Sequence, residues 1–376
     1  MNKTWVIRLA AAFVLYALCI VPAVSADELS QELTKTYRAY VNAFAQGNFP
    51  RAAELAADAL ELANQELGAE HAKTAIMGIN LGHVLLLVGK VDEAEMHLQA
   101  AKSLIEKLRG VDDPDLATVH EDLAKIHASR NDLVKARAEI ERATAITVKA
   151  HGEDDPQVAK LAVDEAALDI AAKNLDRASA GYQRALRIQE QSFGRESAQA
   201  AAILVMMGDL EQMSSRAAQA EQYYTAAVGI FEKILVEDDV RIIGTHAKLA
   251  DLYLPMDDDR FGAHADRVIA LSDDVEGAAR PLFVAKPEFP AQQSVAMPQG
   301  WVLLEFAVTE AGHVTDPKVI ESQPARIFDE PALGAARKWR FMPKVSGGAR
   351  QKQPGTRARI VFKQEGIDVH VGEINR

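Results

Sequence analysis

A spacing of 42 residues recurs through the central part of this chain. Gly68, Gly110, Gly152 and Gly194 follow one another at that interval. The same interval relates two further sets of small residues, which are Ala52, Ala94, Ala136, Ala178 and Ala220, and Gly82, Ala124, Ala166 and Gly208. A fixed period of this length, held without insertions, is typical of an array in which each repeat is one supersecondary unit that stacks on its neighbours. We predict such an array over residues 27–271.

Each repeat has the pattern of a helical hairpin. In the unit that ends at Gly152, Asp113 and Pro114 open the first helix, because an Asp side chain accepts from the free N–H groups of a helix start and Pro suits the first turn. Gly152 is predicted to end the second helix with a positive φ. The small residues let the two helices cross at about 8–10 Å. The fold class predicted for this part is an α-α superhelix of about six hairpins.

The pattern within one unit resembles a known repeat family. Gly82 is followed by alanines 12 and 19 positions later, as in the tetratricopeptide repeat, and the 42-residue period resembles the long repeats of kinesin-light-chain-like arrays. Glu165, Asp169 and Glu211 depart from the family, which has large apolar or aromatic residues at these positions. The resemblance implies a tetratricopeptide solenoid whose concave face, formed mainly by first helices, binds a protein or peptide. Its candidate contact residues are Asn80, His83, Leu87, His120, Lys125 and Asp164. The alternative interpretation for each is an ordinary solvated helix surface.

The N-terminal segment has the pattern of a secretory signal peptide. Lys3 and Arg8 precede an apolar run of 16 residues, 9–24, and small residues lead up to Asp27. We predict residues 1–26 as a signal peptide cleaved between Ala26 and Asp27, and hence a periplasmic protein. The alternative is an uncleaved anchor in the inner membrane, although a bilayer span needs about 20 apolar residues. The single cysteine, Cys19, lies in this segment, so the mature chain is predicted to have no disulfide.

The pattern changes after the array. Residues 272–280 are polar and are predicted to be a linker, residues 281–366 a small α+β domain, and residues 367–376 a tail. Alternating apolar residues and turn-forming glycines predict the order β-β-α-β. The predicted elements are strands at 300–309, 313–322 and 356–362, with a helix at 327–340 between the second and third strands.

This segment resembles the C-terminal domain of the TonB energy-transducer family. The matching residues include Pro290, Gly300, Gly312, Phe328, and Trp339, Phe341 and Pro343 of a Trp-Arg-Phe-x-Pro motif. We expect Trp339 and Phe341 in the core and Arg340 facing outward. The resemblance implies that the last strand is an edge that accepts an extended peptide by strand addition, for example a segment of an outer-membrane transporter. We carry this role over to Arg357, Arg359, Ile360, Val361 and Lys363.

No pattern for catalysis or cofactor binding is apparent. His120-Glu121 begins like a zinc-protease motif, but the next histidine is His127 and the required spacing of four is missing. The carboxylate pairs at 112–113 and 154–155 recur at helix starts and are interpreted as caps. We expect no enzyme activity, cofactor or metal. The formal net charge of −12 argues against nucleic acid as a partner.

Two functional hypotheses remain open. The first is a non-enzymatic periplasmic adaptor, whose array binds one protein or peptide and whose C-terminal domain engages an envelope partner. The second is a membrane-anchored transducer of the TonB type that supports transport across the outer membrane. The N-terminal segment separates them, because a transducer needs to be retained in the membrane and the adaptor does not.

Overall fold

The computed structural model of the chain describes residues 30–256, 259–289, 299–363 and 366–372. The predicted signal peptide with its cleavage site at Ala26 and Asp27 lies outside these residues, as does Pro290. The chain packs as two compact units, the first extending to Leu210 and the second beginning at Glu211. Each unit is described by itself below.

Helices in consecutive antiparallel pairs fill the described residues up to 271. A short turn joins the first and second helix of each pair, as the repeat pattern predicts. The predicted solenoid of helical hairpins is therefore confirmed. The helices are α1 Gln31–Ala45, α2 Phe49–Leu67, α3 Ala72–Leu87, α4 Val91–Arg109, α5 Asp115–Ser129, α6 Leu133–His151, α7 Pro156–Ala171, α8 Leu175–Phe193, α9 Ala198–Met213, α10 Ala217–Ile234, α11 Val240–Tyr253 and α12 Arg260–Leu271, with a 3-10 turn at Leu254–Met256.

Small residues set the approach of the two helices in a hairpin. A Cβ atom placed on Gly82 of α3 would lie 2.6 Å from Cγ of Leu98 and 3.2 Å from the carbonyl oxygen of Ala94, both on α4. The equivalent positions Ala124, Ala166 and Gly208 are buried, and so is every member of the series from Ala52 to Ala220. The 42-residue pattern of small residues is therefore the pattern of helix–helix contacts.

The glycine series marks the ends of the second helices. Gly152 follows α6 with a φ of 94°, and Gly68, Gly110 and Gly194 have φ values of 90°, 93° and 86°. Residues with a side chain rarely adopt a positive φ, so glycine recurs at these helix ends. The predicted C-cap at Gly152 is confirmed.

A four-stranded antiparallel sheet with one helix packed on it forms the C-terminal part of the second unit. The sheet order is β3-β2-β7-β8, and α13 packs on β2 and β3. The elements are β1 Arg280–Phe283, β2 Gly300–Val308, β3 Val314–Gln323, α13 Asp329–Lys338, β4 Arg340–Met342, β5 Lys344–Ser346, β6 Ala349–Gln351, β7 Gln353–Lys363 and β8 Gly366–Val371. The predicted β-β-α-β order is confirmed in β2, β3, α13 and β7.

The helix of this domain is shorter than predicted. It ends at Lys338, because Trp339 is extended and Arg340 begins β4. Trp339 and Phe341 are both fully buried, and Trp339 Nε1 donates to the carbonyl oxygen of Ala285 at 2.8 Å. Residues two apart point the same way in a strand but nearly opposite ways in a helix. The helix therefore has to end before Trp339 for both rings to enter one core.

Glycines and aromatic rings close this core. A Cβ atom placed on Gly300 would lie 2.2 Å from the carbonyl oxygen of Gln323. A Cβ atom placed on Gly312 would lie 2.1 Å from the carbonyl oxygen of Phe341. Phe328 stacks on Phe362 with ring centroids 4.1 Å apart. Pro343 is buried between β4 and β5. The residues that carry the family resemblance are thus packing and close-approach positions.

Two predictions about the surface of this domain are wrong. Arg340 does not face outward: its Nε donates to Asp266 Oδ1 of α12 at 3.1 Å, its guanidinium lies over the Phe261 ring, and 14% of its side chain is exposed. The strand at 357–363 is not an edge. Residues 366–371 form β8 and pair with it from Ala358↔Val371 to Lys363↔Gly366, although residues 367–371 were predicted as part of the tail.

The segment predicted as a linker is hydrogen-bonded to the sheet domain. Gly277 and Val345 exchange two backbone hydrogen bonds of 3.0 and 2.9 Å, and Ala279 N donates to Gln353 Oε1 at 2.9 Å. Asp266 Oδ1 also lies 2.9 Å from His313 Nε2. Helix α12 and the sheet domain are therefore packed together within the second unit.

Two glycines of α3 provide a matched test of the close approach. Replacing Gly82→Ala is expected to lower the free energy of unfolding by about 1–3 kcal/mol, because the new methyl group overlaps Leu98. Gly78→Ala meets only ordinary contact, with Ala101 Cβ at 3.6 Å, and is expected to raise stability by about 0.5–1 kcal/mol. Urea unfolding followed by circular dichroism measures both. A gain in stability for both variants would contradict this account.

Candidate functional site

The predicted contact residues of the array are mostly buried. Asn80 and His83 lie on α3, His120 on α5 and Asp164 on α7, and all four are buried, whereas Leu87 at the end of α3 is 46% exposed. Burial excludes the alternative interpretation of a solvated surface for these four residues. They need polar partners, because an unpaired polar group in the interior is costly.

Charged side chains join three successive first helices. His83 Nδ1 lies 2.6 Å from Asp122 Oδ2, which links α3 to α5. Lys160 Nζ donates to Glu121 Oε1 at 2.5 Å, which links α7 to α5. Lys125 Nζ donates to Glu121 at 2.5 Å and to Asp122 at 3.0 Å. We call these five residues, together with Asp164, the inner ladder.

The inner ladder follows the repeat. Asn80, Asp122 and Asp164 occupy equivalent positions 42 residues apart, one on each of the three first helices. A polar residue at one place in the hairpin is therefore brought beside its counterpart in the next hairpin. This stacking converts a sequence period into a continuous row of charges.

The charges of the inner ladder hold one another ionised. Burial opposes the charged form of Asp122, but His83 and Lys125 outweigh burial and keep the pKa of this carboxyl below its ordinary value. Burial likewise opposes the ammonium of Lys125, yet Glu121 and Asp122 keep its pKa above the usual range. The same lysine and Lys160 lower the pKa of Glu121 against its burial. These three groups are charged at neutral pH.

Asp164 is the exception in the inner ladder. Burial, and next the negative charge of Glu121, raise the pKa of Asp164 to about 7. Its Oδ2 atom is buried and has no hydrogen-bond partner among the described residues. Lys160 and Lys125 oppose the rise but are both bound to Glu121. Asp164 is thus a carboxyl that exchanges its proton close to neutral pH.

The departures from the repeat family are matched by arginines. Arg137 Nη1 of α6 donates to Glu165 Oε1 at 3.0 Å and also binds Asp169. Arg177 of α8 lies 3.7 Å from each of the same two carboxylates. Glu165 and Asp169 on α7 are therefore neutralised from the second helices on either side. The charged residues that replace apolar ones are therefore compensated by arginines of the same hairpin and of the hairpin before it.

The remaining acidic and histidine candidates have structural partners. His120 Nδ1 binds Glu139. Asp113 Oδ1 and Asp155 Oδ1 accept from the backbone N–H groups of Asp115 and Gln157, at 3.0 and 2.8 Å, as helix caps. Across the described ranges, no group of three or more histidine, cysteine, aspartate or glutamate side chains is arranged to hold a metal ion.

The predicted peptide-binding residues of the sheet lie on an internal strand. Ile360 is buried, and Val361 is paired with Asp368 of β8. On the outer face, Arg357 donates to Glu305 Oε2 at 3.0 Å and the Arg359 guanidinium lies 4.5 Å from the centre of the Trp301 ring. Lys363 binds Asp368. The backbone of Arg359, Ile360 and Val361 is therefore paired on both sides, with β2 and with β8.

Comparison with known proteins agrees with both parts of the fold. The family described as Gram-negative bacterial TonB protein C-terminal matches residues 285–363. Tetratricopeptide repeat families match residues 41–73, 74–147 and 157–233. The chain carries tetratricopeptide repeats followed by a TonB-type C-terminal domain. Repeats of this kind suggest protein binding, and a TonB-type domain suggests a function in the cell envelope.

Curated relatives match a short part of this chain. TonB of Pseudomonas aeruginosa is 39% identical over 69 residues, which are 18% of this chain and 20% of that protein. TonB of Escherichia coli (strain K12) is 29% identical over 92 residues, which are 24% of this chain and 36% of that protein. The chain therefore spans between a fifth and little more than a third of the length of these relatives.

Solved structures resemble the array. BtubC (BKLC) from P. vanneervenii has a TM-score of 0.49 at 20% identity and covers 65% of this chain and 96% of its own. PilW, a type IV pilus biogenesis factor, has a TM-score of 0.46 at 13% identity, covering 64% of this chain and 94% of its own.

In the part of the chain that the structure describes, no helix combines the length and apolar character that a bilayer span requires.

Sequence reasoning missed half of the inner ladder. Glu121, Asp122 and Lys160 were not among the predicted contacts, although the step of 42 residues from Asn80 leads to Asp122 and then to Asp164. Adding 42 to the number of each polar residue of a first helix finds the polar residues that occupy equivalent positions in successive repeats. Lys160 has no charged counterpart in the two preceding repeats that would have drawn attention to it, since Thr118 and Ile76 occupy the equivalent positions.

Asp164 is expected to make the stability of the first unit depend on pH. Its pKa rises from 3.8 in the unfolded chain to about 7 in the fold, so the folded state retains a proton that the unfolded state releases. Stability is therefore lost as the pH rises from about 4 to about 7. Asp164→Asn is expected to stabilise the protein by on the order of 1–3 kcal/mol more at pH 8 than at pH 5, measured by urea unfolding.

Asp154→Asn is the matched control for this prediction. Asp154 is exposed and lies 3.3 Å from Arg187. Its substitution is expected to have the same small effect at both pH values. An equal effect of Asp164→Asn at pH 5 and pH 8 would show that this carboxyl does not titrate near neutrality.

Proposed function

We propose that this protein is a non-enzymatic adaptor of the periplasm. Its tetratricopeptide array binds a protein or peptide, and its TonB-type domain engages an envelope partner such as a segment of an outer-membrane transporter. The observation that carries the proposal is the presence of two protein-binding modules on one chain, with a row of buried charges along the first helices of the array.

The inner ladder supports recognition by the first helices. Buried Asp122 binds both His83 and Lys125, so the partly exposed side chain of Lys125 meets a ligand in a preformed position. Leu87, at the end of the same helix as His83, is exposed and offers apolar contact. A fixed charge pattern beside an exposed apolar residue favours a specific partner over general adhesion.

The alternative function is a membrane-anchored transducer of the TonB type. The similarity to TonB of P. aeruginosa and E. coli supports it, as does the apolar run at 9–24 if that run is retained. The adaptor is favoured because small residues precede Asp27, as at a signal peptidase site, and because the repeats stand before the TonB-type domain.

The N-terminus of the protein from the cell envelope is expected to be Asp27. Mass spectrometry of the purified protein measures it directly, since removal of residues 1–26 changes the mass of the N-terminal peptide. A chain that retains the apolar run would refute the free adaptor and favour the anchored transducer. The measurement does not depend on either binding site.

Affinity capture from envelope extract tests the role of the array. The immobilised protein is expected to retain an envelope protein whose recovery falls about ten-fold with Leu87→Glu, because a charge is placed on the apolar part of the binding face. Val134→Glu is the matched control, since Val134 is also an exposed apolar residue but lies on the second helix α6. Both variants are checked for unchanged helicity by circular dichroism.

Two outcomes would contradict the proposal. Recovery of no envelope protein by a folded bait would remove the adaptor function. Equal loss with Leu87→Glu and Val134→Glu would show that capture depends on general surface hydrophobicity and not on the first helices.

A further inference from the structure

The strand β8 lies outside the residues that the TonB C-terminal family model matches. The family match ends at Lys363, the last residue of β7, and β8 covers Gly366–Val371. Without β8, the sheet would have the order β3-β2-β7 and β7 would be its edge. The chain thus supplies its own strand at the edge where the family resemblance implies a bound peptide.

Little of the domain core depends on β8. Ala358, Ile360 and Phe362 of β7 are completely buried, and Phe362 is stacked on Phe328. Of the buried core residues that the structure describes in this domain, β8 contributes Ile367, while Val369 and Val371 are only partly buried. Removal of β8 therefore leaves β2, β3, β7 and α13 with almost all of their shared core.

The polar contact between the two strands is weak. Lys363 binds Asp368, but 54% and 48% of their side chains are exposed. Exposed ion pairs contribute little to stability, because water screens them. The backbone hydrogen bonds of six residue pairs and three apolar side chains hold β8 in place.

The opposite edge of the sheet is unsuited to an added strand. Pro317 in β3 has no N–H group to donate, and the pairing of β3 with β2 shifts register twice. Proline and irregular pairing are features that protect sheet edges from further strands. The place for strand exchange is therefore the β7 side of the sheet.

We infer that β8 is an exchangeable strand, which occupies a binding site on β7 until an extended segment of a partner replaces it. This inference rests on the proposed envelope-partner role of the C-terminal domain and extends it to the partner's chemistry. Ile367, Val369 and Val371 lie on the core side of the sheet, and Asp368 lies beside Lys363. The partner segment that fits this site is extended. It has apolar residues at every second position and an acidic residue directly after the first apolar residue.

The covalent link favours the chain's own strand. Two residues separate β7 from β8, and a short link gives an effective concentration on the order of millimolar. A free segment with the same contacts therefore binds the intact protein weakly and binds a protein without β8 more tightly. A partner succeeds by contacts beyond those that β8 itself makes.

The test uses the strand as its own probe. A fluorescein-labelled peptide with the sequence of residues 366–372, Gly-Ile-Asp-Val-His-Val-Gly, is titrated with the intact chain and with a chain that ends at Lys363, and fluorescence anisotropy is measured. The shortened chain is expected to bind about ten-fold or more tightly. A peptide in which Ile exchanges places with Asp, and the first Val with His, is expected not to bind, because two apolar side chains then face away from the core.

A disulfide cross-link between β7 and β8 provides a second test. Val361 and Asp368 are direct cross-strand neighbours, so Val361→Cys with Asp368→Cys, in a chain carrying Cys19→Ser, joins β7 to β8. The oxidised chain is expected to bind no peptide, and reduction is expected to restore the level of the intact chain. Equal binding by intact, shortened and locked chains would place the peptide elsewhere and overturn the inference.

Hydrogen exchange keeps the inference testable if the shortened chain fails to fold. In the intact chain, the amides of β8 are expected to exchange at least ten-fold faster than those of β2, because β8 opens without global unfolding. Exchange of both strands at one common rate would show that β8 is not displaceable. Neither measurement requires the natural partner, so a failed envelope capture and a failed strand exchange are distinguishable.

Discussion

The close crossing of two helices at small side chains is the contact on which the array depends. Gly82 lies against Leu98 and Ala94 so closely that even a methyl group does not fit, and Ala166 and Ala136 occupy comparable buried positions in later hairpins. Because each hairpin closes at the same place, successive hairpins stack in the same way. The distance between repeats in sequence then fixes which side chains become neighbours in space.

The inner ladder follows from that stacking. Asp122 and Asp164 are equivalent residues of adjacent hairpins, and the lysines and histidine beside them complete the row. Buried charges of this kind contribute little net stability, because desolvation offsets their attraction. Their arrangement is better suited to fixing the register of the hairpins and to holding the partly exposed Lys125 in place for a partner.

Sequence reasoning recovered what depends on local period and missed what depends on pairing over a distance. The hairpins and the β-β-α-β order follow from the spacing of apolar and small residues. The outward direction of Arg340 was wrong because its acceptor, Asp266, is 74 residues away in sequence. The strand β8 was missed because residues 367–376 were predicted as a tail, although Ile367, Val369 and Val371 alternate as in a strand. The charges at Glu165 and Asp169 depart from the repeat pattern, and the sequence alone did not indicate that Arg137 and Arg177 neutralise them.

The contact between α12 and the sheet domain has a consequence for the length of the array. Repeat solenoids need a terminal element that covers the last apolar face. Here Phe261 of α12 packs edge-on against Phe283, Ile269 lies against Gly312, and Arg350 donates to the carbonyl oxygen of Ile269 at 2.9 Å. The sheet domain therefore serves as the C-terminal cap of the solenoid. A hairpin inserted after α12 would have to separate these surfaces, so gain or loss of repeats is compatible with this architecture only at positions before the last hairpin.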